Sequence, residues 1–149
     1  MSRTHVAFVR AAMVYLVATG VVGTMLVIQP GWTGIFRVAH VHAGVLGFFL
    51  LFVMGVAFWL MPRPGGMRMP RLELATFVLF HGGLALRLVA DPFWRMTGAG
   101  WTGPALIGSS LATVAGMALF AAAMIRRAVP AAALQRRRRS AASQRAPSD

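Results

Sequence analysis

The sequence predicts an all-α integral membrane protein, a bundle of four transmembrane helices with both ends on the cytoplasmic side. Three observations predict it. The 149 residues are 58% hydrophobic and only 12% charged, about half the charged fraction of an ordinary soluble domain. The apolar residues gather into four blocks, each close to the ~20 residues that carry a helix across a ~30 Å hydrocarbon core. The arginines are distributed unequally between the alternate ends of those blocks.

The first block covers residues 6–28, with an uncharged core over 11–28. That core is longer than the apolar region of a secretory signal, and no small-x-small cleavage site follows at Gln29-Pro30, so a retained helix is expected. The second block, 35–61, is uncharged after Arg37 and ends in Met61-Pro62-Arg63-Pro64-Gly65-Gly66. The third, 72–90, carries only Glu73 and Arg87, and Asp91-Pro92 is expected to stop it. The fourth, 104–125, has no charge and follows the Gly-rich stretch 98–103. Proline and glycine end helices by removing a donor or freeing the backbone. Peptide groups cannot be left unpaired in lipid, so helix is the expected state of all four blocks. Residues 1–127 thus form the membrane domain. The Ala-, Ser- and Arg-rich segment 128–149 has no apolar face to bury and is expected to be disordered, with the Arg136–Arg139 run within reach of anionic headgroups.

The net charge is +12, and every basic residue is arginine. Such a balance often marks nucleic-acid binding, but here most arginines flank apolar spans, where charge sets topology, so no nucleic acid is expected. Arg3, Arg10, Arg63, Arg68, Arg71, Arg126, Arg127, Arg136, Arg137, Arg138, Arg139 and Arg145 fall on one side; Arg37, Arg87 and Arg95 fall on the other. The positive-inside rule places the first group in the cytoplasm. The chain has no cysteine, which excludes disulfides, iron–sulfur clusters and covalent haem attachment.

Ionisable groups within a span are costly and mark functional candidates. His5 lies at the cytoplasmic edge, whereas His40, His42 and His81 lie within spans. Helical spacing puts Arg37, His40, Gly44, Gly47 and Leu51 on one stripe of the second span, continued by Gly55. The small residues below His40 admit two readings: room for the face of a porphyrin, or close contact with another helix. At 1.5 Å per residue, His40 lies ~8 Å and His42 ~11 Å below Ile35, and His81 lies ~14 Å below Ala90. These depths overlap, so imidazoles from the second and third spans are expected to ligate one non-covalent haem b iron, His40 with His81, and His42 as the substitute for His40. Arg37 sits one turn outward, at the level of propionates, and Arg87 is ~9 Å above His81. Other metal readings are weaker. The rings of His40-x-His42 diverge on a helix, and Met67-x-Met69 is a single soft-ligand pair. No nucleophile–base pair stands out, and Glu73 and Asp91 are expected to pair with Arg71 and Arg95.

The stretch Arg37-Val38-Ala39-His40-Val41-His42-Ala43-Gly44-Val45-Leu46-Gly47-Phe48, continuing to Met61-Pro62-Arg63, resembles the second helix of haem-copper oxidase subunit I, most closely the C-type oxidases and nitric oxide reductases. In that family an Arg-x-x-His motif at this place supplies an axial ligand of low-spin haem b, a role the resemblance carries onto His40, with Arg37 near the propionates. The likeness covers residues 37–63. The histidine motifs of the copper site and high-spin haem are absent, so oxygen reduction is not expected. The expected function is electron transfer in a bacterial cytoplasmic membrane, exchanging electrons with quinol or a redox protein, with a homo-oligomer a further option. Two alternatives stand beside it: a haem-free interaction subunit, and a haem-based nitric oxide sensor with one axial site open.

Overall fold

The computed structural model describes residues 2–61 and 69–127. Met67, the arginines at 63 and 68, and the segment 128–149 lie outside the described residues. Four long apolar helices, each able to cross a membrane by length and composition, make up the fold: α1 (Arg3–Ile28), α2 (Pro30–Leu60), α3 (Pro70–Thr97) and α4 (Thr102–Arg127).

Each helix is longer than its apolar block, for a local reason. At the start of α1, Ser2 forms a capping box: its hydroxyl accepts from the His5 amide, and its own amide donates to His5 Nδ1. The second helix begins with a 3₁₀ turn at Pro30–Trp32, continues as α-helix over Thr33–His42, passes through a π-helical segment at Ala43–Leu50, and ends as α-helix over Leu51–Leu60. The largest departure from expectation is α3. It does not stop at Asp91-Pro92 but continues to Thr97, where Gly98 takes a left-handed conformation (φ 63°) and donates to Trp94 O. Proline removes one helical hydrogen bond. Asp91 and Arg95 bridge the turn that contains it, with Arg95 Nε 3.1 Å from Asp91 Oδ2.

Packing pairs α1 with α2 and α3 with α4, and α2 joins the two hairpins. The α3–α4 seam is tight because small residues let the backbones meet. A Cβ at Gly83 would lie 2.7 Å from Ser109 O, and one at Gly116 would lie 2.7 Å from Phe80 Cβ. Buried on this seam are Thr76, Ser109 and Thr113, each donating its hydroxyl to a carbonyl of its own helix. Val78, Val89, Ile107, Leu111 and Val114 point outward instead. Small and polar inside, large and apolar outside is the pattern expected where lipid surrounds the helices and close packing holds them together.

The apolar core lies toward one end of the bundle. Its members include Phe8, Tyr15, Leu51, Met54, Phe58, Phe80, Leu84 and Ala123. No residue of α1 beyond Tyr15 is buried, and none of α2 before Ala43. The end bearing residues 5, 58, 73 and 127 is therefore closed by all four helices, whereas at the opposite end the buried residues, among them Ala90, Asp91 and Thr102, come from α3 and α4.

Candidate functional site

The stripe read from the second span exists, and it faces α1. A Cβ at Gly44 would meet Thr19 Cγ2 at 3.2 Å, one at Gly47 would meet Tyr15 Cγ at 2.5 Å, and one at Gly55 would meet Phe8 Cβ at 2.7 Å. The relation reverses at His40, whose Cε1 lies 3.0 Å from where a Cβ on Gly23 would be. Residues 8, 15, 19 and 23 of α1 share one helical face, so α1 lies antiparallel along the glycines of α2, side chain into gap. Of the two readings of Gly44 and Gly47, close helix contact is the one this geometry fits: the space they leave holds Thr19 and the Tyr15 ring.

Tyr15, the chain's one tyrosine, has a further role. Its ring presses on Gly47 of α2, and its hydroxyl lies 3.1 Å from His81 Nδ1 of α3. His81 also stacks on Phe77, with centroids 5.0 Å apart and planes 17° apart. The phenol thus occupies the ground between the second and third spans at the level of His81.

That contact also relates the two spans. His81 shares Tyr15 with Gly47, which lies seven residues below His40 along a stretch that is partly π-helical. A second contact lies further out. Arg95 donates to Gly34 O, at 3.3 Å; counting from this pair, His40 lies about 9 Å down α2 and His81 about 21 Å down α3. The overlap of depths expected from the sequence came from counting from Ile35 and Ala90. Both helices extend outward beyond their apolar blocks, α2 from Ile35 to Pro30 and α3 from Ala90 to Thr97, so the added turns largely offset each other. Two imidazoles on one iron must reach the same point, and Tyr15 stands against both Gly47 of α2 and His81 of α3. The residues present do not fit a porphyrin held between His40 and His81.

The remaining candidates are dispersed. His42 Nδ1 lies 2.9 Å from Val38 O. A carbonyl only accepts, so Nδ1 carries the proton and Nε2 bears the lone pair when the ring is neutral. Arg37 is exposed. Arg87 turns to α4, donating from Nη1 to Ser110 Oγ at 2.7 Å, while its Nε is buried without a partner. Thr19 Oγ1 and His40 Nδ1 are likewise buried and unpartnered. Among the described residues no group of three or more His, Cys, Asp or Glu side chains is placed to hold a metal ion.

Sequence reasoning missed the most connected polar cluster, at the closed end. Glu73 Oε1 lies 2.9 Å from Arg127 Nη2, and Glu73 Oε2 lies 3.0 Å from His5 Nε2. Arg127 Nη1 donates to Phe58 O at 3.2 Å, and its guanidinium stands 5.0 Å from the centre of the Phe58 ring. The His5 ring lies 5° from parallel with the Phe58 ring, their centroids 6.5 Å apart. One residue from each helix meets here, and His5, Glu73 and Arg127 are all buried. His5 therefore does more than mark an edge, and Glu73 takes Arg127 and His5 rather than the exposed Arg71. Asp91 does pair with Arg95, as expected. The signal available in the sequence was the presence of an acid and a base at the same ends of neighbouring spans.

Comparison of the chain with protein-family models, with curated proteins and with solved structures gave no match.

Proposed function

We propose that this chain is a haem-free membrane interaction subunit, a bundle that contributes apolar helices to a larger assembly and carries no redox centre of its own. The observation that supports this reading is the position of Tyr15. It fills the place where the sequence pointed to a porphyrin, and it engages both Gly47 and His81. The stripe of small residues then serves helix contact, a common use of glycine within membranes. Outward-facing α1 side chains such as Val14, Val17 and Val27 leave that helix the apolar surface for lipid or a partner span.

The pigment content tests it. The protein is purified in detergent after expression with added haem, and a reduced-minus-oxidised spectrum is recorded, with native mass spectrometry of the extracted species. The reading expects no stoichiometric haem and a mass above that of the lone chain. A stoichiometric low-spin haem lost on both His40→Ala and His81→Ala restores the cytochrome reading, and a lone monomer removes the subunit reading.

A second reading rests on one specific observation. His81 Nδ1 is held by Tyr15 and His42 Nδ1 by Val38 O, and a bond at one ring nitrogen is what orients the other toward a metal. A haem on a single histidine would leave one axial position open, which suits gas binding rather than electron transfer. Stoichiometric haem whose spectrum shifts with carbon monoxide and disappears in one single-histidine variant supports it. The likeness of residues 37–63 to the oxidase helix implies a low-spin haem on His40 and belongs with the cytochrome reading that the pigment test addresses.

A further inference from the structure

Arg87 sits inside a span without a counter-charge. Its helix runs on past it to Thr97, and its neighbours on the helical stripe, Gly83, Leu84, Ala90 and Asp91, are all buried. A guanidinium carries a planar fork of N–H donors and keeps its charge in proteins. Here Nη1 donates to Ser110 Oγ at 2.7 Å, Nε is buried without a partner, and no acceptor meets Nη2 among the described residues. A hydroxyl is a neutral dipole and leaves the charge uncancelled.

The chain's own acids are engaged elsewhere. The sequence holds three. Asp91, one turn outward, gives both oxygens to Arg95. Glu73 lies about 21 Å away along α3 by helical rise, in the cluster with His5 and Arg127. Asp149 follows α4 in the chain and lies outside the described residues. A second copy brings the same acids in the same engagements. We propose that Arg87 is the docking point for a partner span that carries an Asp or Glu carboxylate at the depth of Ser110. The inference rests on the subunit reading above and supplies the chemistry of its partner.

Three features favour a span over a lipid headgroup. Ionised side chains within a membrane pair with one another, and arginine with carboxylate is the strong, directional pair. On α4, Ser110 stands between the buried Thr113 and the exposed Ile107 and Val114 of its own face. The partly exposed arginine thus reaches the edge of the α3–α4 seam among apolar side chains, a surface that an apolar helix with one acid complements. Direction is the third feature. Side chains lean toward the N-terminus of their helix, which for Arg87 is away from the near end of α3. The hydrogen bond follows that lean. A Cβ at Gly83 would lie 2.7 Å from Ser109 O, so Ser110 stands near Gly83, one turn further into the span than Arg87. Lipid phosphates lie at the ends of spans, where this guanidinium does not point.

The test pairs the full chain, in phosphatidylcholine nanodiscs, with leucine-rich transmembrane peptides labelled for energy transfer. One peptide carries a single Glu about two turns inside one end, and two others carry Gln or Leu there. The Glu peptide is expected to bind about tenfold tighter than the Leu peptide and tighter than the Gln peptide. Arg87→Met is expected to erase that preference. Equal binding of all three by the native chain overturns the proposal, and so does a Glu preference that survives Arg87→Met. If the variant does not fold, the three peptides on the native chain decide. Replacing phosphatidylcholine with phosphatidylglycerol covers the other source of an anion: a melting temperature that rises with that lipid only while Arg87 is present, without a Glu preference, assigns the arginine to phosphate and overturns the partner span. Native mass spectrometry keeps the two failures apart. An extracted assembly that falls to the mass of the lone chain in Arg87→Met supports the docking point. An assembly that keeps its mass in that variant overturns it and leaves the subunit reading intact, and a native chain that extracts alone removes both.

Discussion

The Tyr15 hydroxyl lies 3.1 Å from His81 Nδ1, joining α1 to α3 through residues 66 apart in sequence. The same ring lies against Gly47, so a single side chain ties three helices at one depth. This bond and this wedge replace the gap that the histidine pattern led one to expect.

Tyr15→Phe keeps the wedge and removes the bond. It leaves His81 Nδ1 without its partner, at a cost of about 1 to 3 kcal/mol. The thermal midpoint in detergent is expected to drop by several degrees. Combining it with His81→Phe removes both polar groups, and the pair is expected to recover part of the loss. A double mutant no better than the sum of the two changes would show that the bond contributes nothing.

Gly47→Ala puts a methyl group into the Tyr15 ring, since the Cβ position is 2.5 Å from Cγ. Overpacking of this kind costs about 1 to 3 kcal/mol. Gly20→Ala is the control. Nothing lies within 4 Å of its Cβ position, and alanine there is expected to be neutral or to stabilise α1 by up to ~1 kcal/mol. Denaturation in mixed micelles ranks the two. If the order reverses, α1 does not lie on the glycine face.

Glu73→Gln removes the charge that Arg127 and His5 share. Breaking a buried pair from one side leaves the other charge uncompensated and costs about 3 to 5 kcal/mol. Replacing both members with apolar residues, Glu73→Leu with Arg127→Met, is expected to cost much less than the single change, since apolar replacements of a buried pair are often tolerated. The check is the fraction folded after extraction, with proteolysis at the ends of α3 and α4 as the local readout.

Thr19→Val deletes a buried hydroxyl that has no partner and keeps the side chain's shape. The change is expected to be neutral or to raise stability by up to about 1 kcal/mol, because an unsatisfied buried group carries a desolvation penalty. Thr19→Ala, which also empties the space beside Gly44, is expected to be the worse of the two. A marked loss on Thr19→Val, seen in the same thermal assay, would mean that the hydroxyl has a ligand.

Parts of the site were legible before the fold. Gly44, Gly47 and Gly55 do lie on one face of α2 with His40, because a helical period follows from spacing alone. The pairing of Asp91 with Arg95 was also expected, from an acid and a base close together at a helix edge, although its i,i+4 geometry exists because α3 continues through Pro92. What faces the glycines was not legible. Nothing in the spacing of residues 40–55 distinguishes a porphyrin from the side chains of residues 8, 15 and 19.

The number of long apolar helices and their order are sums over local stretches, so the amino-acid order alone determined them. Tertiary structure decided which helices touch, that α3 runs through Pro92 to Thr97, and that Tyr15 stands against both Gly47 and His81. It also brought together residues 5, 58, 73 and 127, which no local pattern connects. The physical reason is that hydropathy makes a helix enter lipid but does not select its neighbour. Selection comes from close fit and from hydrogen bonds between side chains distant in the chain.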